Sequence, residues 1–392
     1  MKSKNNIHAK LVMLDHSKAK VELYTNYLST YLNILSRTRF VDKIHIFDLM
    51  CGEGIYADGS KGSPIIAMEK IKTHYFSNNE SCPDINVWFN DFDRSRIDKE
   101  KFKIERVEDI CSKIFKPKNV NVEYTRKDYS EISVKVIEII KSFNKNERLL
   151  LFIDPYGYKE IKLDQIKNYL LGGKTELILF LPISFMSRVA NKSLSEDLFP
   201  GGEPLREFLF PLFKSDKNIT AFTKPYPFIN QLKELLRKYL INESIFVDTY
   251  TIQRDEQNVY CLFFFTPNAL GFEKMLYTKW TMDEEQGKGF RLNSEQNSLF
   301  SEVDISEYPD KLKKFIEADK IKTNSDLYLF GLQNGFLPKH TNQVLKKWQN
   351  EFENFKVYEK DGSVIKKGAF YISYENYGKY PKRIIKFLFE QR

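Results

Sequence analysis

Four segments of strand length, each carrying an aspartate at or near its carboxyl end, constrain this chain more than any other feature. "KIHIFDLM" carries Asp48, "INVWFND" ends at Asp91, "NVNVEYTRKD" at Asp128, and "RLLLFIDPYG" turns at Asp154. Helical apolar spacing separates them, in "SPIIAMEKIKTHYF", "DRSRIDKEKFKIERVEDICSKIF" and "EISVKVIEIIKSF". Ser63 is read as N-cap of the first of these helices, with Pro64 at its first position. A fifth run, "ELILFLPISF", follows. Strands alternating with helices predict a parallel sheet covered on both faces. Ligands of such sheets sit beyond the carboxyl ends of the strands.

The flanks extend this outline. Residues 16–36 space Val21, Tyr24, Leu28, Tyr31, Leu32 and Leu35 as one face of a helix. After residue 186 the pattern loosens into helical stretches and two more strands, "SIFVDTYTIQ" and "VYCLFFFTP", which could close the sheet as an antiparallel pair. "RLNSEQNSLFSEVDISEYPD" is polar and reads as a linker. Three short helical patterns then precede "FKVYEKDGSVIKKGAFYISY", a hairpin turning at Asp361-Gly362, and a last basic helix, "PKRIIKFLFEQR". Three helices and a hairpin outline a winged helix-turn-helix. The expected organisation is a helical lead-in over 1–40, a doubly wound Rossmann-like α/β domain over 41–290, a linker over 291–310 and a winged helix over 311–392.

Composition narrows the class. At 42% hydrophobic residues the chain is globular rather than disordered. No apolar run approaches the roughly 18 residues that span a bilayer, and the start "MKSKNNIHAK" lacks the apolar core of a secretory signal. Cys51, Cys82, Cys111 and Cys261 form no CxxC pair, and the five histidines no HExxH spacing, so a reduced cytoplasmic protein without a metal site is expected. Of 61 basic and 53 acidic residues, 17 and 9 lie from Lys311 onward; residues 1–310 balance at 44 each and the whole +8 excess is C-terminal. A localised basic excess suits a polyanion partner; solvating lysines on small helices are the bland alternative.

At the mouth of the first strand stands "FDLMCGEGIYADGSKGSP". Gly52 and Gly54 let backbone approach a ligand without a Cβ clash, and the N–H groups that follow form a donor-rich rim. "GEGIYA" also satisfies the dinucleotide fingerprint G-x-G-x-x-G/A, which keeps an NAD-dependent oxidoreductase as a weaker alternative. That fingerprint wants a helix at once, for a pyrophosphate; here the clear helix start waits until Ser63-Pro64. Asp48 precedes the glycines, and an anion there repels pyrophosphate but attracts an ammonium. S-adenosylmethionine (SAM) carries an ammonium and no phosphate. Asp91 at the next strand end suits the two ribose hydroxyls, and Asp93 suits an N-cap. Asp128 could accept from an adenine amine with Tyr129 packed nearby, or cap a helix. In "FIDPYGY", Asp154 could grip a planar amine while Tyr156 stacks on its ring; ending the strand is the alternative role of this turn. Methyl transfer to such an amine needs aim and charge stabilisation more than a strong base.

Together "FDLMCGEGIYADGSKGSP", "FNDFD" and "FIDPYGY" resemble a class I SAM-dependent methyltransferase and, more narrowly, the bacterial three-Cys-motif partner (TcmP) family. The resemblance covers most of the chain, including a C-terminal winged helix. The Asp-Pro-aromatic-Gly turn is also similar to that of tRNA guanine-N2 dimethyltransferases; it lacks the second proline of adenine amino-methyltransferases, where Tyr156 stands. The resemblance implies SAM as cofactor and a three-cysteine, iron–sulfur, radical-SAM-like partner protein. Cofactor contacts are assigned to Asp48, Cys51, Gly52, Gly54, Tyr56, Asp91, Phe92, Asp128 and Tyr129, and catalysis to Asp154, Pro155 and Tyr156.

In "PKHTNQVLKKWQNEF", Thr341, Val344, Leu345, Trp348 and Phe352 share one face, and Lys339, Gln343, Lys346 and Asn350 the other. The polar face, with Lys347 and with Lys366 and Lys367 of the hairpin, suits phosphates and base edges; protein docking is the other use of such a module. The expectation is a SAM-dependent methyltransferase acting on the exocyclic amine of a DNA or RNA base. The alternative is a catalytically silent SAM-binding scaffold subunit working through its partner.

Overall fold

The computed structural model describes residues 13–78, 82–155, 157–194, 202–213, 224–255, 258–283, 289–291, 307–318 and 321–390. The chain divides into two units, Met1–Asn268 with Lys288–Glu295, and Ala269–Gly287 with Gln296–Arg392.

The N-terminal unit opens on helix α1 (Asp15–Ser36) and then alternates β1 (Lys43–Asp48), α2 (Ser63–Ser77), β2 (Asp84–Asn90), α3 (Lys103–Cys111), β3 (Val120–Thr125), α4 (Tyr129–Ser142), β4 (Glu147–Ile153), α5 (Leu163–Leu170) and β5 (Thr175–Leu181). Helices α6 (Ile183–Leu194), α7 (Glu203–Phe213) and α8 (Pro225–Tyr239) precede β6 (Phe246–Gln253) and β7 (Val259–Thr266). Helix α9 (Ala269–Met282) belongs to the second unit, and β8 (Gly289–Arg291) returns to the first. The expected domain limit at 290 therefore differs from the packing, which hands α9 to the C-terminal unit.

Among the described residues the sheet runs β3-β2-β1-β4-β5-β7-β6-β8. The five N-terminal strands pair in parallel, and β7 enters antiparallel between β5 and β6. This is the doubly wound α/β sheet expected from the alternation. The central strands β4 and β5 read as near-continuous apolar runs because helices cover both of their faces.

Helix α1 is part of this unit and lies against its sheet. Its Tyr24 ring packs 4.7 Å from Phe152 of β4, and its Tyr27 ring 4.9 Å from Phe264 of β7. The Tyr27 hydroxyl donates to Glu176 Oε2 (2.5 Å) near the start of β5, and Thr266 Oγ1 donates to Oε1 (2.7 Å). Helix α3 starts ten residues later than expected, because residues 93–102 form turns.

The C-terminal unit contains α9, α10 (Tyr308–Glu317), β9 (Lys322–Thr323), α11 (Asn324–Gln333), α12 (Pro338–Glu351), β10 (Phe355–Glu359) and β11 (Ile385–Phe389). Its antiparallel sheet runs β10-β11-β9. Gly331 of α11 faces Thr341 of α12 so closely that an added Cβ would lie 2.8 Å from Thr341 Oγ1. Tyr308 and Thr341 hydroxyls bond at 2.6 Å beside it. Trp280 Nε1 donates to the Gly335 carbonyl (2.9 Å), fixing α9 to the turn between α11 and α12.

Two expectations for this unit are corrected. The expected basic helix over 381–392 does not form in its described part, 381–390: 385–389 are strand β11, paired with β10 from Phe355↔Phe389 to Glu359↔Ile385. "IKFLF" has the period of two that buries Ile385 and Phe387 on one face of a sheet. The second arm of the expected hairpin is instead a loop with one bridge, Tyr358↔Val364. Gly362, Gly368 and Gly378, all at positive φ, turn the chain before a long strand can form. The expected linker falls mostly on 292–306, outside the described residues, as do residues 1–12 of the lead-in.

Burial pushes the Glu176 carboxyl up to about 7, against the Tyr27 and Thr266 hydrogen bonds that hold it down. A folded-state value above the unfolded one means that the contribution is complete below the unfolded pKa and is lost as pH rises through about 7. Glu176→Gln, which keeps the shape and removes the titration, should match the parent near pH 4 and exceed it in stability above pH 7. Urea melts across pH 4–8 check this; parallel curves for the two proteins would contradict it.

Candidate active site

Register brings three carboxylates to one edge. Asp48 ends β1 beside Phe89 of β2 and Phe152 of β4. Asp91 and Asp154 lie two residues beyond those partners, so three adjacent strands deliver an acid to the same edge. Asp48 is fully buried. The Ser63 hydroxyl donates to its Oδ2 (2.6 Å) and the Met50 N–H to its Oδ1 (3.4 Å). Burial pushes Asp48 up to about 7; the Ser63 hydrogen bond opposes the rise, and Asp154 and Asp91 add to it. Ser63 is thus not the N-cap of α2. Gly62 holds that position and Ser63 is the first helical residue, its hydroxyl turned back to Asp48.

Asp91 accepts from the Gly52 N–H (2.9 Å) and from the Asp93 N–H (3.0 Å), one on each oxygen. Burial raises its pKa while Lys103, with Nζ at 3.4 Å, opposes the rise. Lys103 is 1% exposed and also pairs with Asp93 (2.8 Å). Asp93 is therefore not the N-cap of the following helix, a position that Phe102 holds. With α3 starting at Lys103 behind Phe102, Asp93 is a counter-ion for that helix's first residue.

The loop between β1 and α2 is held open and rigid. Gly52 and Gly54 take φ of +72° and +74°. An added Cβ on Gly52 would meet nothing within 4 Å, whereas one on Gly54 would lie 3.0 Å from Val107 Cγ2. Gly52 thus borders open space, and Gly54 lets the loop close on α3. Buried Glu53 anchors the loop from below. It accepts from Arg106 Nη1 (2.5 Å), Ser95 Oγ (2.7 Å) and the Arg96 N–H (2.6 Å). The Cys51 thiol is buried, with its pKa raised first by burial and then by Asp48 and Asp91, so it is a packing group. Burial also raises the half-buried Tyr56 phenol, with Lys20 opposing and Asp154 adding to the rise.

Asp154 follows β4 and pairs through Oδ2 with Lys20 of α1, a residue that sequence reasoning missed. Burial alone would lower the Lys20 pKa; Asp154, Tyr56 and Asp48 outweigh it, so the ammonium stays charged. Lys20 Nζ also lies 4.8 Å from the Phe180 ring centroid. Asp154 Oδ1 accepts no hydrogen bond among the described residues. One turn along α1, the buried Tyr24 hydroxyl has no hydrogen-bond partner among them. Pro155 is buried; Tyr156 lies outside the described residues. Two residues on, the Tyr158 ring stacks on Phe185 at 5.4 Å.

The third strand contributes less than expected. Asp128 is exposed and caps α4, accepting from the Ser130 N–H (2.9 Å). Tyr129 is a core residue, buried with its hydroxyl 3.1 Å from that of Tyr169, and has no face for a ligand. Phe92 is exposed beside the Arg126 guanidinium, 5.9 Å from its ring centroid.

In the C-terminal unit, Lys339, Gln343, Lys346, Lys347 and Asn350 are all exposed on α12, and Lys366 and Lys367 are exposed between β10 and β11. Thr341, Val344, Leu345 and Trp348 are buried on the opposite face of α12. The amphipathic division read from the sequence is the one the fold uses.

Glu53→Ala would leave Arg106 largely buried without its carboxylate. The expected loss is about 3 kcal/mol, the scale for breaking a buried ion pair from one side. Asp109→Ala, which removes the exposed partner of Lys101, should leave stability unchanged. Denaturant midpoints of the two variants check this, and equal midpoints would contradict it.

Residues 281–353 match the family model described as GMT-like wHTH domain. Among solved structures, the chain is similar to Trm1 from Pyrococcus horikoshii in complex with S-adenosyl-L-methionine, at 13% identity and a TM-score of 0.36 over 66% of this chain. It spans 58% of the length of that structure. It is also similar to loganic acid methyltransferase with SAH (11% identity, TM-score 0.30, 71% of this chain and 84% of that one). A further similar structure is the O-methyltransferase TomG from Streptomyces achromogenes in complex with SAM (11% identity, TM-score 0.30, 61% and 79%). No curated protein matches the chain in sequence.

Proposed function

We propose that the chain is a SAM-dependent methyltransferase acting on the exocyclic amine of a nucleic-acid base, with the winged helix contacting the nucleic acid. The observation that carries this reading is the row Asp91, Asp48, Asp154 across β2, β1 and β4, beside a glycine loop with open space at Gly52. The residues present fit the cofactor. Asp48 would face its ammonium, Asp91 its ribose hydroxyls, and the unsatisfied Tyr24 hydroxyl has a hydrogen bond to give. When bound, SAM supplies an electrophilic methyl group.

The chain's own part is to aim the acceptor. Asp154 keeps Oδ2 on Lys20, and Oδ1 remains to accept an N–H from the target. A carboxylate already neutralised by Lys20 suits a neutral planar amine better than an alkylammonium, which would need an unpaired charge. Asp154 orients the amine and stabilises the positive charge that develops on it. The nitrogen loses its proton after transfer, when it is acidic.

The oxidoreductase alternative is weakened by the same geometry. A pyrophosphate would need the N-terminus of α2, where Ser63 presents its hydroxyl to Asp48. On the winged helix, the exposed polar face of α12 supports phosphate and base contacts. The resemblance to the three-Cys-motif partner family supports an iron–sulfur protein as further partner. The four free cysteines suit a reduced cytoplasmic setting.

With Asp48 near 7 in the free protein, an ammonium ligand should bind about fivefold more tightly at pH 7 than at pH 6, as the carboxyl ionises. Asp48→Asn should bind more weakly and lose this slope. Calorimetry with SAM checks both, and tight NAD binding without SAM binding would end the reading.

For the reaction, tritiated SAM is offered with DNA, tRNA and ribosomal RNA, with and without the partner. Label should enter a base amine. Asp154→Ala should cut turnover by about 10²–10³, the cost of losing one preorganised electrostatic partner. Asp154→Asn should be milder, because its amide oxygen still accepts. Label in protein or a metabolite would refute the nucleic-acid substrate. SAM binding with no transfer under any condition would favour the silent subunit.

A further inference from the structure

The loop between β10 and β11 is far longer than a tight turn and is built rather than slack. It covers residues 360–384. Asn324, buried at the start of α11, holds its far end. Its Nδ2 donates to the Tyr371 carbonyl (3.1 Å) and the Arg383 carbonyl (3.1 Å), and its Oδ1 accepts from the Ile385 N–H (3.0 Å). Within the loop, Asn376 Oδ1 accepts from the Arg383 N–H (2.8 Å), and Lys382 pairs with Glu375 (2.7 Å). The Tyr377 ring packs on Tyr328 of α11 at 5.3 Å.

This frame displays aromatic rings outward. Tyr380 is 84% exposed and Tyr374 is 39% exposed. Tyr371, at a φ of +53° that a tyrosine rarely adopts, carries the Arg383 guanidinium 4.5 Å from its ring centroid. Lys379 lies 5.5 Å from the Tyr380 ring centroid. The loop has six Lys/Arg and two Asp/Glu, a balance of +4. Single exposed tyrosines need no explanation. A rigid loop that interleaves exposed rings with cations is the composition that binds unpaired nucleotides, where bases stack on aromatic faces and phosphates meet the cations.

We propose that this loop is a binding platform for unpaired nucleotides, with Tyr380 and Tyr374 as stacking surfaces and Lys366, Lys367 and Lys379 as phosphate contacts. The inference rests on the nucleic-acid reading above and narrows it to single-stranded or looped segments. It agrees with the chemistry of an exocyclic amine, which a paired base does not present to an active site.

The test uses the full-length protein without SAM, so it does not depend on methyl transfer. Fluorescein-labelled oligo(dT) and oligo(U) of about 20 nucleotides are compared with a duplex of equal length by anisotropy. The parent should favour the single strands. Tyr374→Ala/Tyr380→Ala should weaken single-strand binding by about tenfold or more, given the worth of base–aromatic stacking, and change duplex binding little. Tyr380→Trp should retain single-strand affinity, which separates stacking from loss of the loop fold. Lys339→Glu/Lys346→Glu serves as the second arm and should weaken both ligands. If the tyrosine variants bind single strands as the parent does, or lose both ligands equally, the platform is refuted while the α12 contact stands. If the parent binds no nucleic acid, both readings fall and protein docking takes their place.

Discussion

Three carboxylates at the ends of adjacent strands cannot all be ionised in a dry edge unless cations arrive with them. That constraint organises the N-terminal unit. Register fixes the acids: once β1 pairs with β2 and β4, Asp91, Asp48 and Asp154 converge whatever else happens. The chain meets the electrostatic demand from two sides. Lys103, first residue of α3, lies between Asp91 and Asp93. Lys20 reaches Asp154 from α1. Among the described residues, Asp48, between the other two acids, has only the hydroxyl of Ser63 and the Met50 N–H as hydrogen-bond partners, and burial raises its pKa. The middle acid is therefore the one whose charge the fold leaves least compensated.

Helix α1 shows how one element serves both stability and site. Lys20, Tyr24 and Tyr27 fall on one face at spacings of four and three, and each reaches a different depth of the sheet. Lys20 meets Asp154 at the carboxyl end of β4; Tyr24 packs on Phe152 inside it; Tyr27 reaches Glu176 near the start of β5. The helix thus lies across the sheet from carboxyl edge to amino edge. A lead-in read as a preface to the domain is a wall of its candidate active site.

Much of this was legible because strands and helices advertise their periods. The five parallel strands, two later strands fit to close the sheet as an antiparallel pair, Asp48, Asp91 and Asp154 at one edge, and the exposed face of α12 all follow from patterns within single segments; that β7 rather than β6 lies next to β5 does not. What was not legible depends on segments far apart in sequence. Nothing near Lys20 announces Asp154, more than a hundred residues away, and nothing near Glu53 announces Arg106. The errors have local causes as well. Ser63-Pro64 looks like a cap and first turn, but Gly62 takes the cap and frees the hydroxyl for Asp48. Tyr129 follows a strand-end acid, yet the first turn of α4 directs it inward to Tyr169. "IIKFLF" fits a helix or a strand over so short a run, and tertiary pairing with β10 decides for the strand.

The same bookkeeping of charge separates residues 311–392 from the rest of the chain. In residues 1–310 the 44 basic and 44 acidic residues balance, and the buried cations of the site are matched to acids by direct contact. In the C-terminal unit several lysines are also matched, as in Lys311–Glu307, Lys313–Glu317, Lys347–Glu351 and Lys382–Glu375. Lys339, Lys346, Lys366 and Lys367 are exposed and carry no ion pair among the described residues. An ammonium in water with no internal partner contributes little to holding a fold. It costs the least to dedicate to an external anion, because nothing must first be broken, and a row of such groups releases counterions from a phosphate backbone on contact. Within the C-terminal excess, Lys339 and Lys346 stand on one helix face and Lys366 and Lys367 on the loop beyond β10, open to an external anion; in the N-terminal unit the buried cations of the site are committed to acids.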